Sequence, residues 1–309
     1  MIWKNSLKQS RRSSINQGAN LLTWMHMKRS LFITDFDGTL LTDEKRIAKQ
    51  DLDTLFRLRN NNIVTAIATG RSLYSLQQAL EQIGLGGDRL PVDYFIFSTG
   101  AGIMAVAQGS IIRSLCVTAR DVREIITCFD ARKLDYMVHR AIPHTRYFLY
   151  KSHGEKNPDF QARILLSPRF SKPLNNGQSL YDTATQVLAI IPGKVSVEMM
   201  AAVRADLFGY SVIHATSPLD HFSSWIEVFN KQVSKSQAAS WLASTLNIKQ
   251  SDVISVGNDY NDQDLLEWSG RGYLVANAAP DLKLFLKTVS SNNHCGVSQA
   301  VVESGLLGG

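Results

Sequence analysis

LFITDFDGTLL occupies residues 31–41. The run Leu31 to Thr34 is mostly apolar and of strand length, as expected of a strand buried on both faces of a parallel sheet. Asp35 and Asp37 follow it two residues apart, so on extended backbone both carboxylates point to one side. Ligand sites of open parallel sheets lie at this carboxyl edge. Two carboxylates so close repel, which calls for a cation between them or for a division into base and acid. Magnesium, a hard ion that prefers oxygen, suits the pair. The plainer alternative is that both cap the turn that Gly38 allows.

Working outward, a helical spacing of Leu52, Leu55 and Phe56 leads to a second apolar run, Ile63 to Thr69, which completes a βαβ unit. Further short runs at Tyr94 to Phe97, Val253 to Val256 and Tyr273 to Val275 alternate with helical stretches at Ser72 to Ile83, Ser234 to Leu246 and Asp262 to Trp268. The expected fold class is therefore α/β, a Rossmann-like parallel sheet covered by helices. Between about Arg113 and Phe222 the chain instead alternates strand-like pieces (Tyr136 to His139, Tyr147 to Tyr150, Val187 to Ile191, Ser211 to His214) with polar, Pro- and Gly-containing turns. That segment reads as an inserted α+β domain. The expected division is a core of 31–112 and 223–309, an insert of 113–222, and a disordered basic extension of 1–30.

Composition narrows the partners. Of 309 residues 44% are hydrophobic and 19% charged, and no apolar stretch approaches the roughly 18 residues of a membrane span. The net charge of +6 looks basic, but Lys4, Lys8, Arg11, Arg12, Lys28 and Arg29 precede the first acid, Asp35. Without them the 33 Lys and Arg fall to 27, equal to the 27 Asp and Glu. The body is neutral, which disfavours nucleic acid as a partner. Cys116, Cys128 and Cys295 are far apart and odd in number, so a reducing cytoplasm is expected. The leader has no apolar signal core; an acid-free organelle transit peptide, an unstructured tail and a start at Met27 all fit residues 1–26.

Three later segments add chemistry. In AIATGRS (66–72) Thr69 offers a hydroxyl and Gly70 lets backbone approach a ligand, a pair able to hold a phosphate oxygen. In QVSKSQAASWL (232–242) Lys235 opens a helix, where the dipole disfavours a cation, with Lys231 a nearby competitor. In VISVGNDYNDQDLL (253–266) Asn258, Asp259, Asn261, Asp262 and Asp264 crowd the end of a strand, either as cation ligands or as an Asx-rich turn capping a helix.

Taken in order, DFDGTLL, ATGRS, VSKSQA and GNDYND resemble the four motifs of the haloacid dehalogenase-like hydrolases, type IIB, whose large cap lies between the second and third motifs. The resemblance spans residues 31 to about 285. It implies a magnesium-dependent phosphohydrolase acting on a small phosphorylated metabolite, for instance a sugar phosphate, through an aspartyl phosphate on Asp35. By the same resemblance Asp37 protonates the leaving oxygen and then activates water. Thr69, Gly70, Lys235 and Asn261 would bind the phosphoryl group, and Asp35, Asp37, Asn258, Asp259 and Asp262 would supply the metal site. The family motif commonly reads GDxxND; here Asn258 replaces its first carboxylate and Asp259 follows, which leaves open which oxygens reach the metal.

His139, Arg140, His144, Arg146, Lys151 and His153 crowd one part of the insert and suggest a basic face toward an anionic substrate, with scattered surface charge as the alternative. Trp225, Trp241 and Trp268 read as core. Two further functions remain open: a phosphotransferase or mutase of the same fold, and a weakened binding module motivated by Asn258 and the basic leader.

Overall fold

A computed structural model describes residues 30–87, 89–154, 156–175 and 180–307. The expected basic extension lies outside these residues apart from Ser30. The chain first forms β1 (Leu31–Thr34), β2 (Val64–Ala68), β3 (Tyr94–Phe97), β4 (Gly102–Ala105) and β5 (Ser110–Ser114). It next forms β6 (Val117–Thr118), β7 (Asp135–Arg140), β8 (Phe148–Lys151), β9 (Ser171–Pro173), β10 (Thr183–Ile191), β11 (Tyr210–Thr216) and β12 (Ser224–Asn230). It ends with β13 (Val253–Gly257), β14 (Arg271–Val275) and β15 (Lys287–Val289).

The first and last groups join in one eight-stranded sheet of order β15-β14-β13-β1-β2-β3-β4-β5. From β15 to β3 it is parallel; β4 and β5 extend it antiparallel. The chain runs outward from β1 through β2 and β3, then returns as β13 on the other side of β1. Connections therefore diverge between β1 and β13, the switch point at which such sheets open a crevice. Both faces are covered, which explains the continuous apolar strands. Phe32, Ile67, Phe95 and Val256 pack beneath the helices Lys49–Asn60, Leu73–Gln82 and Gly296–Glu303, while Leu31, Ile33, Ala68 and Ile96 meet Ala238, Ala239 and Leu242 of the helix Lys235–Thr245.

The middle strands build a second, mostly antiparallel sheet of order β11-β12-β10-β7-β8-β9, with β6 on β10. The helices Ala119–Ala131 and Val197–Asp206 cover one face through Val122, Ile125, Phe129, Met200 and Val203. Thr118 and Asp121 form a reciprocal cap at the start of the first of these helices. The other face carries Met137, Leu188, Ile190 and Trp225 against Phe160 of the helix Pro158–Leu165. This second sheet is the cap.

Two expectations need correction. The run Trp225 to Phe229 belongs to β12, which pairs with β10 and β11 of the cap, so the core does not resume at residue 223. Every residue of Ser224–Phe229 is buried, and a strand buried on both faces looks the same in either sheet. At the other junction β5 reaches Ser114, so the core runs past residue 112. Trp225 accordingly lies in the cap, its Nε1 donating to Asp159 Oδ2 at 2.7 Å, while Trp241 and Trp268 pack against the core. Among the described residues no helix is long and apolar enough to cross a membrane.

Candidate active site

Asp35 sits at the carboxyl end of β1, its N–H still bonded to Val256 O of β13 at 2.9 Å. The chain then makes a wide turn over Phe36–Leu40, closed by Leu41 N–H on Phe36 O. Gly38 has φ +73 in that turn, and a Cβ there would meet the Asn258 amide at 2.8 Å. Glycine is required for both the left-handed conformation and this approach.

Lys235, wholly buried, is the first residue of its helix. Its Nζ donates to Asp35 Oδ1 at 2.7 Å and to Asp262 Oδ1 at 2.5 Å. The odd cation at a helix start is thereby explained: it is clamped between two buried carboxylates rather than solvated. Lys231, by contrast, is exposed. Burial works against the Lys235 charge, but Asp262 and Asp35 outweigh it and hold the ammonium above its ordinary value. Burial, reinforced by Asp262 and only partly opposed by Lys235, pushes Asp35 up to about 8. With both carboxylates ionised, two negative charges would share one ammonium and one would be left over.

Asn258 lies where a cation could take up that charge. Thr39 Oγ1 donates to its amide oxygen at 2.9 Å. The same terminal amide position is 3.0 Å from Asp37 O and 3.2 Å from Asp35 Oδ2. With oxygen there, three oxygens face one another; adjacent ligands of an octahedral magnesium shell are separated by about 2.9 Å, from bonds of roughly 2.0–2.1 Å. With the amide turned over, the nitrogen places its two N–H donors among Asp37 O, Asp35 Oδ2 and Thr39 Oγ1. The residues thus fit a hard cation, and the amide can satisfy the niche without one. Among the described residues no cluster of three His, Cys, Asp or Glu side chains is placed to hold a metal, so the donor set is mixed: one carboxylate, one carbonyl, one amide.

Other expected metal ligands are engaged elsewhere. Asp262 Oδ2 accepts the N–H groups of Asn258 and Asp259 at 2.9 and 3.1 Å, so both its oxygens serve to shape the loop and seat Lys235. Asp259 turns away: its carboxylate accepts Thr216 N–H and Oγ1–H of the cap strand β11, each at 2.9 Å. Its geometry is that of an anchor between lobes. Asp259→Ala is expected to lower stability by about 1–3 kcal/mol on thermal unfolding while leaving the magnesium concentration for half-maximal rate unchanged; a changed magnesium requirement would return Asp259 to the metal site. Asp264 accepts from Ser236 N and Oγ and ties the motif to the Lys235 helix.

Thr69 and Gly70 close β2. Thr69 N–H donates to Ile96 O, and its hydroxyl accepts Arg71 N–H at 3.1 Å. Gly70 sits beside Asn261 and Thr99: a Cβ on it would be 3.6 Å from Asn261 Nδ2 and from Thr99 Oγ1. These residues do converge on the edge where Asp35 lies.

Three participants were not foreseen. Arg71 grips Asp37 with a two-pronged contact, Nε to Oδ2 and Nη2 to Oδ1, both 2.6 Å, and its guanidinium lies over Phe36. It stands inside ATGRS, and a cation two residues from a phosphate-type turn was the available signal. Thr39 orients Asn258. Thr99, at φ 56 in a turn after β3, donates from Oγ1 to the cap residue Glu227 at 2.9 Å. The basic cap face also needs correction at His139: it is buried, and burial together with Arg163 pushes it down to about 3, so it is a neutral ring.

The sequence profile of haloacid dehalogenase-like hydrolases matches residues 32–301. The Bacillus subtilis protein YxeH is 26% identical over 293 residues, covering 88% of this chain and 97% of that protein. The HMP-PP phosphatase of Serratia proteamaculans is 25% identical over 272 residues, covering 84% and 89%. Among solved structures, the subclass IIB sugar phosphatase BT4131 superposes with a TM-score of 0.69 at 17% identity, covering 90% of this chain and 99% of that one. At that identity the superposition speaks for the fold, an α/β core with a cap. Profile, relatives and architecture agree: the chain belongs to the haloacid dehalogenase-like hydrolase family.

Proposed function

We propose that this protein is a magnesium-dependent phosphatase that removes phosphate from a small phosphorylated metabolite, a sugar phosphate being one such class, through an aspartyl phosphate on Asp35. The observation that carries the reading is Lys235 bound to Asp35 and Asp262 beside the niche of Asp35 Oδ2, Asp37 O and the Asn258 amide. The names of relatives, an HMP-PP phosphatase and a sugar phosphatase, support a small phosphate ester as substrate.

An Asp35 oxygen attacks phosphorus, and the bond from phosphorus to the leaving oxygen breaks as Asp37 gives that oxygen a proton. Water then attacks phosphorus, Asp37 takes its proton, and the bond to Asp35 breaks to release phosphate. Arg71 fixes the Asp37 carboxylate, so proton delivery requires one arm of the grip to open. Lys235, with Thr69, Gly70 and Asn261 around the same edge, offers positive charge and donors to the transferring oxygens. Magnesium bound by Asp35, Asp37 O and Asn258 would offset charge that otherwise repels the nucleophile.

The test is phosphate release from a panel of sugar and other metabolite phosphates, with and without magnesium. Magnesium-dependent release is expected; a phosphorylated acceptor in place of free phosphate would make the protein a phosphotransferase. Asn258→Asp supplies the carboxylate of the commoner motif. Since about 1.4 kcal/mol is a factor of ten, even modest added attraction lowers the magnesium concentration for half-maximal rate about tenfold. A rate titration with magnesium reads this directly, and no shift would remove Asn258 from the metal site.

A further inference from the structure

Two asparagines outside the four motifs leave the same sheet edge as Asp35 and Asn258. β14 and β15 follow β13 outward in the sheet, and Asn277 and Asn292 come shortly after their ends at Val275 and Val289. From there Asn277 reaches back across the fourth motif to the turn that follows β1. Its Nδ2 donates to Gly38 O at 2.7 Å, and its Oδ1 accepts Asn292 N–H at 2.9 Å. Asn292 Nδ2 in turn donates to Leu41 O and to Asp43 Oδ1, each at 3.0 Å. Asn292 is 1% exposed, whereas Asn277 lies at the surface.

Thr39 stands between the two carbonyls held in this way. Gly38 O and Thr39 N–H belong to one planar peptide unit, so a donor on Gly38 O fixes the plane from which the Thr39 side chain leaves. That side chain meets the terminal amide of Asn258 at 2.9 Å in either orientation of the amide. The turn has need of outside support at this point. Gly38, at φ +73, has no Cβ to restrict it, and the closing bond from Leu41 N–H to Phe36 O spans Gly38 and Thr39 without touching either.

We propose that Asn277, seated by Asn292, is a positioning residue for phosphoryl transfer: through Gly38 O it sets Thr39, and through Thr39 it keeps the Asn258 amide in the niche with Asp35 Oδ2 and Asp37 O. The assignment rests on the magnesium-dependent phosphatase reading above. Groups that orient a metal ligand typically change metal affinity roughly 10- to 100-fold when removed. Asn277 acts one contact further out and through a bond at the surface, so its factor is smaller, about three- to tenfold.

The experiment is a double-variant cycle read by the magnesium dissociation constant, measured by calorimetry on the protein without ester. Asn277→Leu removes the donor at an exposed position, where folding is not at stake, and Thr39→Val removes the hydroxyl that Asn277 serves. Asn277→Leu is expected to weaken magnesium binding about three- to tenfold. The magnesium concentration for half-maximal release of phosphate is expected to rise by the same factor. In the double variant the loss is expected to equal that of Thr39→Val alone, because one residue acts through the other. Thr54→Val, which removes a buried hydrogen bond to Ser298 in the same lobe, controls for lost stability: its unfolding temperature falls and its magnesium binding holds. An unchanged dissociation constant in Asn277→Leu, or factors that multiply in the double variant, overturns the positioning role while the phosphatase reading stands. Wild type that binds no magnesium and releases no phosphate from any ester of the panel overturns both.

Discussion

Asp35→Asn is expected to reduce turnover by on the order of 10^4-fold or more without lowering the unfolding temperature. An amide cannot attack phosphorus, and losses of this size accompany removal of an enzymatic nucleophile. Stability is expected to hold because the substitution removes the surplus charge of the cluster. Lys235 then faces one carboxylate, Asp262, while the amide oxygen at position 35 still accepts from Nζ. Phosphate release and thermal unfolding measured on the same samples check this; a variant that unfolds early would make Asp35 chiefly a structural residue, and one that keeps its rate would displace it as nucleophile.

Lys235→Met is expected to cost both stability and rate. Its ammonium is the shared partner of Asp35 and Asp262, all three buried, and removing it leaves two like charges facing each other away from water. Breaking a buried pair in this way costs about 3–5 kcal/mol, or roughly 10 °C in unfolding temperature. Loss of one charged contact to the phosphoryl group adds a further drop in rate of roughly 10- to 150-fold. The double variant Asp35→Asn, Lys235→Met is expected to regain part of the stability and none of the activity, because the two sites are in contact and do not act additively. Lys231→Ala, at an exposed position, is the control expected to change neither. Equal losses at Lys231 and Lys235 would undo the assignment.

Much of the candidate site was legible because its motifs sit directly after strands with strong local patterns. β1, β3 and β13 are apolar runs of ordinary strand length, and Asp35 and Asn258 follow the first and last of them with no intervening loop. Less legible was anything decided by partners distant in the chain. β4 and β5 form an edge hairpin whose outer strand is largely exposed, so no continuous apolar run marks it. Arg71 reads like any surface arginine until Asp37, 34 positions away, is known to receive both arms of its guanidinium. Asp259 has the composition of a ligand and the position of an anchor, a difference set by Thr216 of the cap. His139 resembles its basic neighbours in sequence, yet its place in β7 buries it and keeps it neutral.

If phosphate passes through Asp35, rapid acid quenching during turnover of an active phosphate ester with magnesium traps it there. Proteolysis and mass spectrometry of the quenched protein are expected to find a phosphoryl group on the peptide that contains Asp35, absent when magnesium is withheld and absent in Asp35→Asn. Rapid phosphate release with no phosphorylated Asp35 at any quench time, together with an active Asp35→Asn variant, would contradict it.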